Sequence, residues 1–197
     1  MENGREYNGR EYKDTRMDGV MERLERLRRF DGNPTEFWPA FLEESARLVG
    51  ASLGFLMLRE KEGASWRKLS VWPVGSQRNA GTSGLDSRIE EIAAAAAGQG
   101  FVFEEDGKEG ETRADGGIVG IRLKIEDDRR TGVAVFLFEH GAELTTEEVA
   151  LRLALVADTP AVYQLGHLVS RAKRDVAKFT DALDLMALLG VEQRHKI

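Results

Sequence analysis

The 197-residue chain contains no cysteine. That excludes disulfides, thiolate metal sites and cysteine nucleophiles outright, and it fits a reducing compartment. Histidine is scarce: His140, His167 and His195 lie far apart, none with a carboxylate or second histidine at ligand spacing, and each reads as a surface residue. A basic excess is also missing. Lys and Arg number 28 against 34 Asp and Glu, a formal charge of -6, whereas a nucleic-acid surface needs clustered cations in excess. No apolar run reaches membrane-spanning length, and Met1-Glu2-Asn3-Gly4-Arg5 is polar where a secretory signal would be apolar. The expectation is a cytoplasmic protein with no nucleic-acid partner and no membrane insertion in this segment.

Catalytic motifs are lacking as well. Gly116-Gly117-Ile118-Val119-Gly120 leads into a strand pattern, whereas a phosphate-binding loop leads into a helix. Glu104-Glu105-Asp106 and Asp127-Asp128 lack the ligand spacing and glycine of a calcium loop and read as solvated turns. No serine sits in a nucleophile elbow. The expectation is a non-enzyme with no catalytic residue, no metal and no cofactor, whose activity is binding.

What is present suffices for one core: 42% of residues are hydrophobic and 31% charged. Residues 1–13 carry a polar tandem duplication, Asn3-Gly4-Arg5-Glu6-Tyr7 and Asn8-Gly9-Arg10-Glu11-Tyr12, and read as a disordered tail. An amphipathic helix follows over 14–31, with Met17, Val20, Leu24 and Leu27 on one stripe and Glu22/Arg26 and Glu25/Arg29 as i,i+4 pairs outside it. Asn33-Pro34 caps and starts a second helix that Gly50 ends, with Pro39 either kinking its first turn or marking its true start.

Strands are expected near 52–59, 66–73, 101–104, 118–126 and 131–139. The first and last are apolar on both parities, as strands covered on two faces must be. Ser87 and Glu90 form a capping-box pattern for a helix propagated by Ala93 to Ala97 and ended by Gly98. Thr145 and Glu148 form another, with Leu144 and Val149 as a hydrophobic staple. The order predicts an α+β fold: a central antiparallel sheet flanked by helices, with a long C-terminal helix.

Gly50-Ala51-Ser52-Leu53-Gly54-Phe55-Leu56 resembles the first strand of a GAF domain following its helix. Gly117 to Phe138 resembles the family's closing hairpin, and Leu144-Thr145-Thr146-Glu147-Glu148 its entry into the last helix. The resemblance covers residues 33–165 and implies a GAF-like (profilin-like) regulatory or small-molecule-sensing domain. Members that bind cyclic nucleotides carry an asparagine–lysine and an aspartate–glutamate signature that has no counterpart here. The resemblance also implies a ligand region between Ser70 and Phe103. There Phe55, Met57, Phe101 and Phe103 can wall a cavity, Trp66 and Trp72 share a strand parity, Ser70 is nearby, and Arg88 or Arg122 can hold an anionic group. The same aromatics equally make a filled core, so a ligand-free dimerisation or protein-interaction module is the alternative.

From 166 to 197 the pattern becomes a heptad seam. Leu165, Val169, Ala172, Val176, Phe179, Leu183 and Met186 follow at alternating steps of four and three, which suits a partner helix. A parallel homodimer is expected, with the helix bent near Pro160 and the N-terminal stripe available to complete a four-helix bundle. Ala177 to Leu189 resembles the connector that precedes output domains, so the chain is also expected to be the N-terminal piece of a longer signalling or secretion-adaptor protein.

Overall fold

The computed structural model describes residues 19–75, 83–104, 116–125, 129–139 and 144–194. The duplicated tail, the loops at 76–82 and 105–115, the Asp127-Asp128 turn, His140 and His195 lie outside the described residues. The first helix, α1, covers 19–28. It is followed by α2 (Pro34–Val49), β1 (Leu53–Arg59), β2 (Arg67–Trp72), α3 (Ser83–Gln99), β3 (Phe101–Glu104), β4 (Ile118–Leu123), β5 (Thr131–Leu137), α4 (Thr146–Val156) and α5 (Thr159–Arg194).

The strands form one five-stranded sheet in the order β2-β1-β5-β4-β3, antiparallel at every pairing. The two doubly apolar strands, β1 and β5, lie in its interior, as their sequence requires. Because side chains alternate across a pleated sheet, they feed two cores. One face packs against α1, α2, α4 and the start of α5 through Leu56, Val119, Ile121, Ala134 and Phe136. The other packs against α3 through Phe55, Met57, Val133 and Val135.

Local chemistry explains most boundaries. The Asn33 side chain accepts from the backbone N–H of Thr35, Pro34 occupies the first turn, and Gly50 closes α2 with φ 70°. Pro39 lies inside α2, so the start is at Pro34. At α4 the expected capping box is complete: the Glu148 N–H donates to Thr145 Oγ1 at 3.2 Å and the Thr145 N–H donates to Glu148 Oε2 at 2.8 Å. Leu144 packs against the core that contains Val149.

Three expectations shift. Helix α3 begins one turn before Ser87, which therefore lies inside it. The extra turn has tertiary partners, since Leu85 joins the second core and Asp86 meets Lys68 Nζ at 2.5 Å. The same helix runs past Gly98 to Gln99, and Gly100 takes the left-handed turn with φ 89°. The C-terminal segment is broken where a bend was expected. Helix α4 stops at Val156, Pro160 falls in the first turn of α5 where its missing N–H costs nothing, and the Ala157 carbonyl freed by the break accepts from Lys124 N–H at 2.9 Å.

The stripe of α1 is occupied within the chain. Val20 and Leu24 are buried in the first core, with Leu27 packed against it. Arg23 pairs with Glu44 of α2 at 2.8 Å, and Arg28 pairs with Asp158 at the α4–α5 break at 2.5 Å. The described part of that stripe therefore faces its own core instead of a partner's bundle.

Candidate functional site

Pleat and register decide which of the sequence-selected residues can meet. Along one row, Val71, Phe55, Val135 and Gly120 are paired neighbours; along another, Met57, Val133 and Arg122. Both rows face α3. The alternate rows, Trp72–Gly54–Phe136–Val119–Phe103 and Ser70–Leu56–Ala134–Ile121–Phe101, face α2, α4 and α5. The seven ligand candidates are thus divided. Phe55, Met57 and Arg122 lie on the α3 side, Ser70, Trp72 and Phe103 on the other, and Arg88 rides on α3 with its guanidinium 3.0 Å from Glu104 Oε1.

Trp66 and Trp72 also part company, for a reason invisible to simple alternation. Leu56 opposes Ser70 while Met57 opposes Lys68, so Leu69 is an extra residue in β2. Such a bulge reverses the parity of everything before it. Trp66 consequently packs against the α3 core and Trp72 against the other.

The layer between sheet and α3 is filled. Phe55, Met57, Ile89, Ile92, Ala93, Ala96, Val133 and Val135 are all buried. The alanines of α3 let the helix approach closely. Gly120 lets it come closer still, because a Cβ there would lie 2.7 Å from Ile92 Cγ2 and 2.9 Å from Ala96 Cβ. On the opposite face Phe41, Phe37 and Tyr163 stack in series within the core against which partly buried Trp72 and Phe103 pack.

An open concavity lies at one corner of the α3 face, where sheet outruns helix. Its volume is ≈ 1070 Å³, and its lining comes from the β1–β2 turn, the last turns of α3, Arg122 of β4 and the start of β5. A second hollow of ≈ 540 Å³ adjoins it, sharing Arg122, Arg130 and Thr131. Among the described residues, five cationic side chains line the larger one, namely Arg59, Lys61, Arg122, Arg129 and Arg130, against the carboxylates of Glu60 and Glu62. Only Arg122 among these figured in the sequence reading. The others escaped it because Arg59 and Arg129–Arg130 are far apart in the chain and are joined only by the β1–β5 pairing that sets Arg59 opposite Thr131.

Among the described residues no group of three or more His, Asp or Glu is placed to hold a metal ion. No helix there is long and apolar enough to cross a membrane. His167 sits on α5 with its ring 5.9 Å from that of Tyr163.

The seam candidates Leu165, Val169, Ala172, Val176, Phe179, Leu183 and Met186 all lie on α5. They are exposed, Phe179 by 66% and Met186 by 69%.

No protein-family model matches the chain, and no curated protein matches it in sequence. Solved structures do. The GAF domain of a protein assigned as a sensor histidine kinase from Pseudomonas syringae pv. tomato superposes with a TM-score of 0.53 at 16% identity, covering 87% of this chain and 98% of that one. The GAF domain of a phosphoenolpyruvate-protein phosphotransferase from Coxiella burnetii gives 0.48 at 12% identity over 83% and 98%. The N-acylhomoserine-lactone-dependent LuxR-family regulator CepR2 from Burkholderia cenocepacia gives 0.49 at 14% over 78% and 96%. The five-stranded antiparallel sheet, its flanking helices and its long terminal helix, taken with the first of these likenesses, give the chain a GAF-like fold.

Proposed function

We propose that this chain is a non-catalytic regulatory domain that pairs as a parallel homodimer and transmits through α5. The observation that carries the reading is the exposure of the heptad seam. A 36-residue helix is about 54 Å long at 1.5 Å per residue. Among its described side chains, buried ones occur only in the first turns, at Thr159, Pro160 and Tyr163, and from Arg171 to Met186 every residue is exposed. A single exposed leucine needs no explanation, but a periodic row of six large apolar side chains projecting from a folded domain does. A second helix covering Leu165, Val169, Val176, Phe179, Leu183 and Met186 removes that row from water, with Ala172 permitting close approach. The fold likeness to the GAF domain of a protein assigned as a sensor histidine kinase supports a regulatory role for the domain.

The close packing of α3 on the sheet favours the form of this reading in which no small molecule enters that layer. A signal then reaches α5 from elsewhere on the surface or through the partner subunit.

Light scattering tests the pairing. The wild type is expected to be dimeric at tens of micromolar, and Phe179→Glu/Leu183→Glu monomeric with an unchanged near-ultraviolet spectrum, since neither residue touches the core. A monomeric wild type, or a charged variant that stays dimeric, removes the seam as the interface.

A further inference from the structure

We propose that the open corner at the C-terminal end of α3 binds a small, multiply charged anion bearing phosphate or carboxylate groups. The corner exists because three elements stop short of it together. Helix α3 ends at Gln99, Gly100 turns the chain through the left-handed region, and β3 begins opposite Ile121, so the sheet face beyond Arg122 has neither helix nor edge strand over it. The β1–β2 turn walls one side, and the residues entering β5 wall the other.

The lining is charged to match. Among the described residues, Arg59, Lys61, Arg122, Arg129 and Arg130 give five positive charges against two from Glu60 and Glu62. The carboxylate of Glu60 lies 3.9 Å from Arg67, which is outside the lining. In a chain of net charge -6, such a local excess is the reverse of the background. The helix end does not cancel it. The exposed carbonyls of a helix C-terminus repel anions, but Arg122 donates from Nη1 to the Ala97 carbonyl at 3.2 Å and its backbone N–H donates to Gly100 O at 2.8 Å.

A second observation points inward from the wall. Arg59 lies over the Trp66 ring at 4.7 Å, and its Nε is buried without a hydrogen-bond partner. Trp66 reaches that place only because the Leu69 bulge reverses the parity of β2. A guanidinium held over an aromatic ring is fixed in place beside the hollow and keeps its positive charge there for a phosphate or carboxylate. The volume suits a small metabolite-sized ligand, and the polar lining suits an ionic one.

This site is separate from the α5 seam. Its test reads binding, whereas the pairing test reads mass, so either can fail alone. The ¹⁵N-labelled full chain is titrated with inorganic pyrophosphate, and separately with citrate, at constant ionic strength. Saturable shifts are expected at the amides of residues 59–62, 97, 98, 122 and 129–131, with a midpoint below about 1 mM for at least one probe. Pyrophosphate alone assigns phosphate chemistry, citrate alone carboxylate, and both the shared anion chemistry. Arg59→Gln is expected to weaken binding by about tenfold, roughly the loss of one charged hydrogen bond. Arg130→Gln, an exposed position, is expected to weaken it severalfold. Lys68→Gln, also on the α3 face but paired with Asp86, leaves it unchanged. The absence of saturable shifts up to about 10 mM with either probe overturns the proposal, as does wild-type affinity in both arginine variants.

Discussion

Tyr163 stands where the core ends and the projecting helix begins. Its ring stacks on Phe37 at 3.8 Å and its hydroxyl donates to the Gly32 carbonyl at 3.0 Å, so α5 is tied to the α1–α2 connection by one side chain only 1% exposed. Burial raises its phenol pKa above the ordinary 10.0, and the negative charges of Asp31 and Glu36 add to the effect. A raised pKa in the folded state means that folding favours the protonated phenol. That stability is fully present below the unfolded value and is lost as pH rises through the folded one. As pH rises above about 10 the wild type is therefore expected to lose more thermal stability than Tyr163→Phe, although the variant is less stable at neutral pH by about 1 kcal/mol for the missing hydrogen bond. Parallel melting curves for the two proteins across that range would show that the phenol is not the titrating group.

At the scale of elements, the break between α4 and α5 sets the direction of α5, and α1 holds it. Arg28 donates from Nη2 to the Leu155 carbonyl at 3.1 Å and to Asp158 Oδ1 at 2.5 Å, and from Nε to Thr159 Oγ1 at 3.3 Å. One guanidinium thus meets the carbonyl end of α4 and the start of α5 together. Because the pair is partly solvated, its coupling is discounted: a double-mutant cycle of Arg28→Ala and Asp158→Ala in urea unfolding is expected to give about 0.5–1 kcal/mol. Additive effects would reduce Arg28 to a surface arginine. The capping box at Thr145 was legible in the chain because it is a local motif whose partners are three residues apart. The one at Ser87 misled because Lys68, from another strand, extends the helix beyond it.

At the scale of the whole molecule, a domain of three layers, helices on both faces of one sheet, carries a helix whose residues from Arg171 to Met186 it leaves exposed. Isolated heptads of this length are marginal in water, so pairing along α5 is expected to depend on concentration. Mass action then requires the apparent melting temperature of the wild type to rise with protein concentration and that of Phe179→Glu/Leu183→Glu to stay constant. Calorimetry over a hundredfold concentration range, on the order of 2.7 kcal/mol in the pairing equilibrium, makes the difference measurable. Equal concentration dependence in both proteins would place any pairing elsewhere.

The sequence by itself determined the features that depend on short-range periodicity and on residue type. Alternation gave the strands, the doubly apolar runs of Leu53–Arg59 and Thr131–Leu137 made β1 and β5 interior, and the α+β order followed. Absence of cysteine closed whole classes of chemistry. Tertiary structure decided what stands next to what. The candidate ligand residues were chosen by residue type and by the resemblance, yet a pleat sends neighbours to opposite faces and one bulged residue, Leu69, reverses a strand's parity, so Trp66 and Trp72 enter different cores. The cationic corner was equally hidden, because Arg59 and Arg130 meet only through the β1–β5 register and the early end of α3. Periodicity is written over a few residues and can be read there, whereas register and closure are global solutions to burying two faces of one sheet at once.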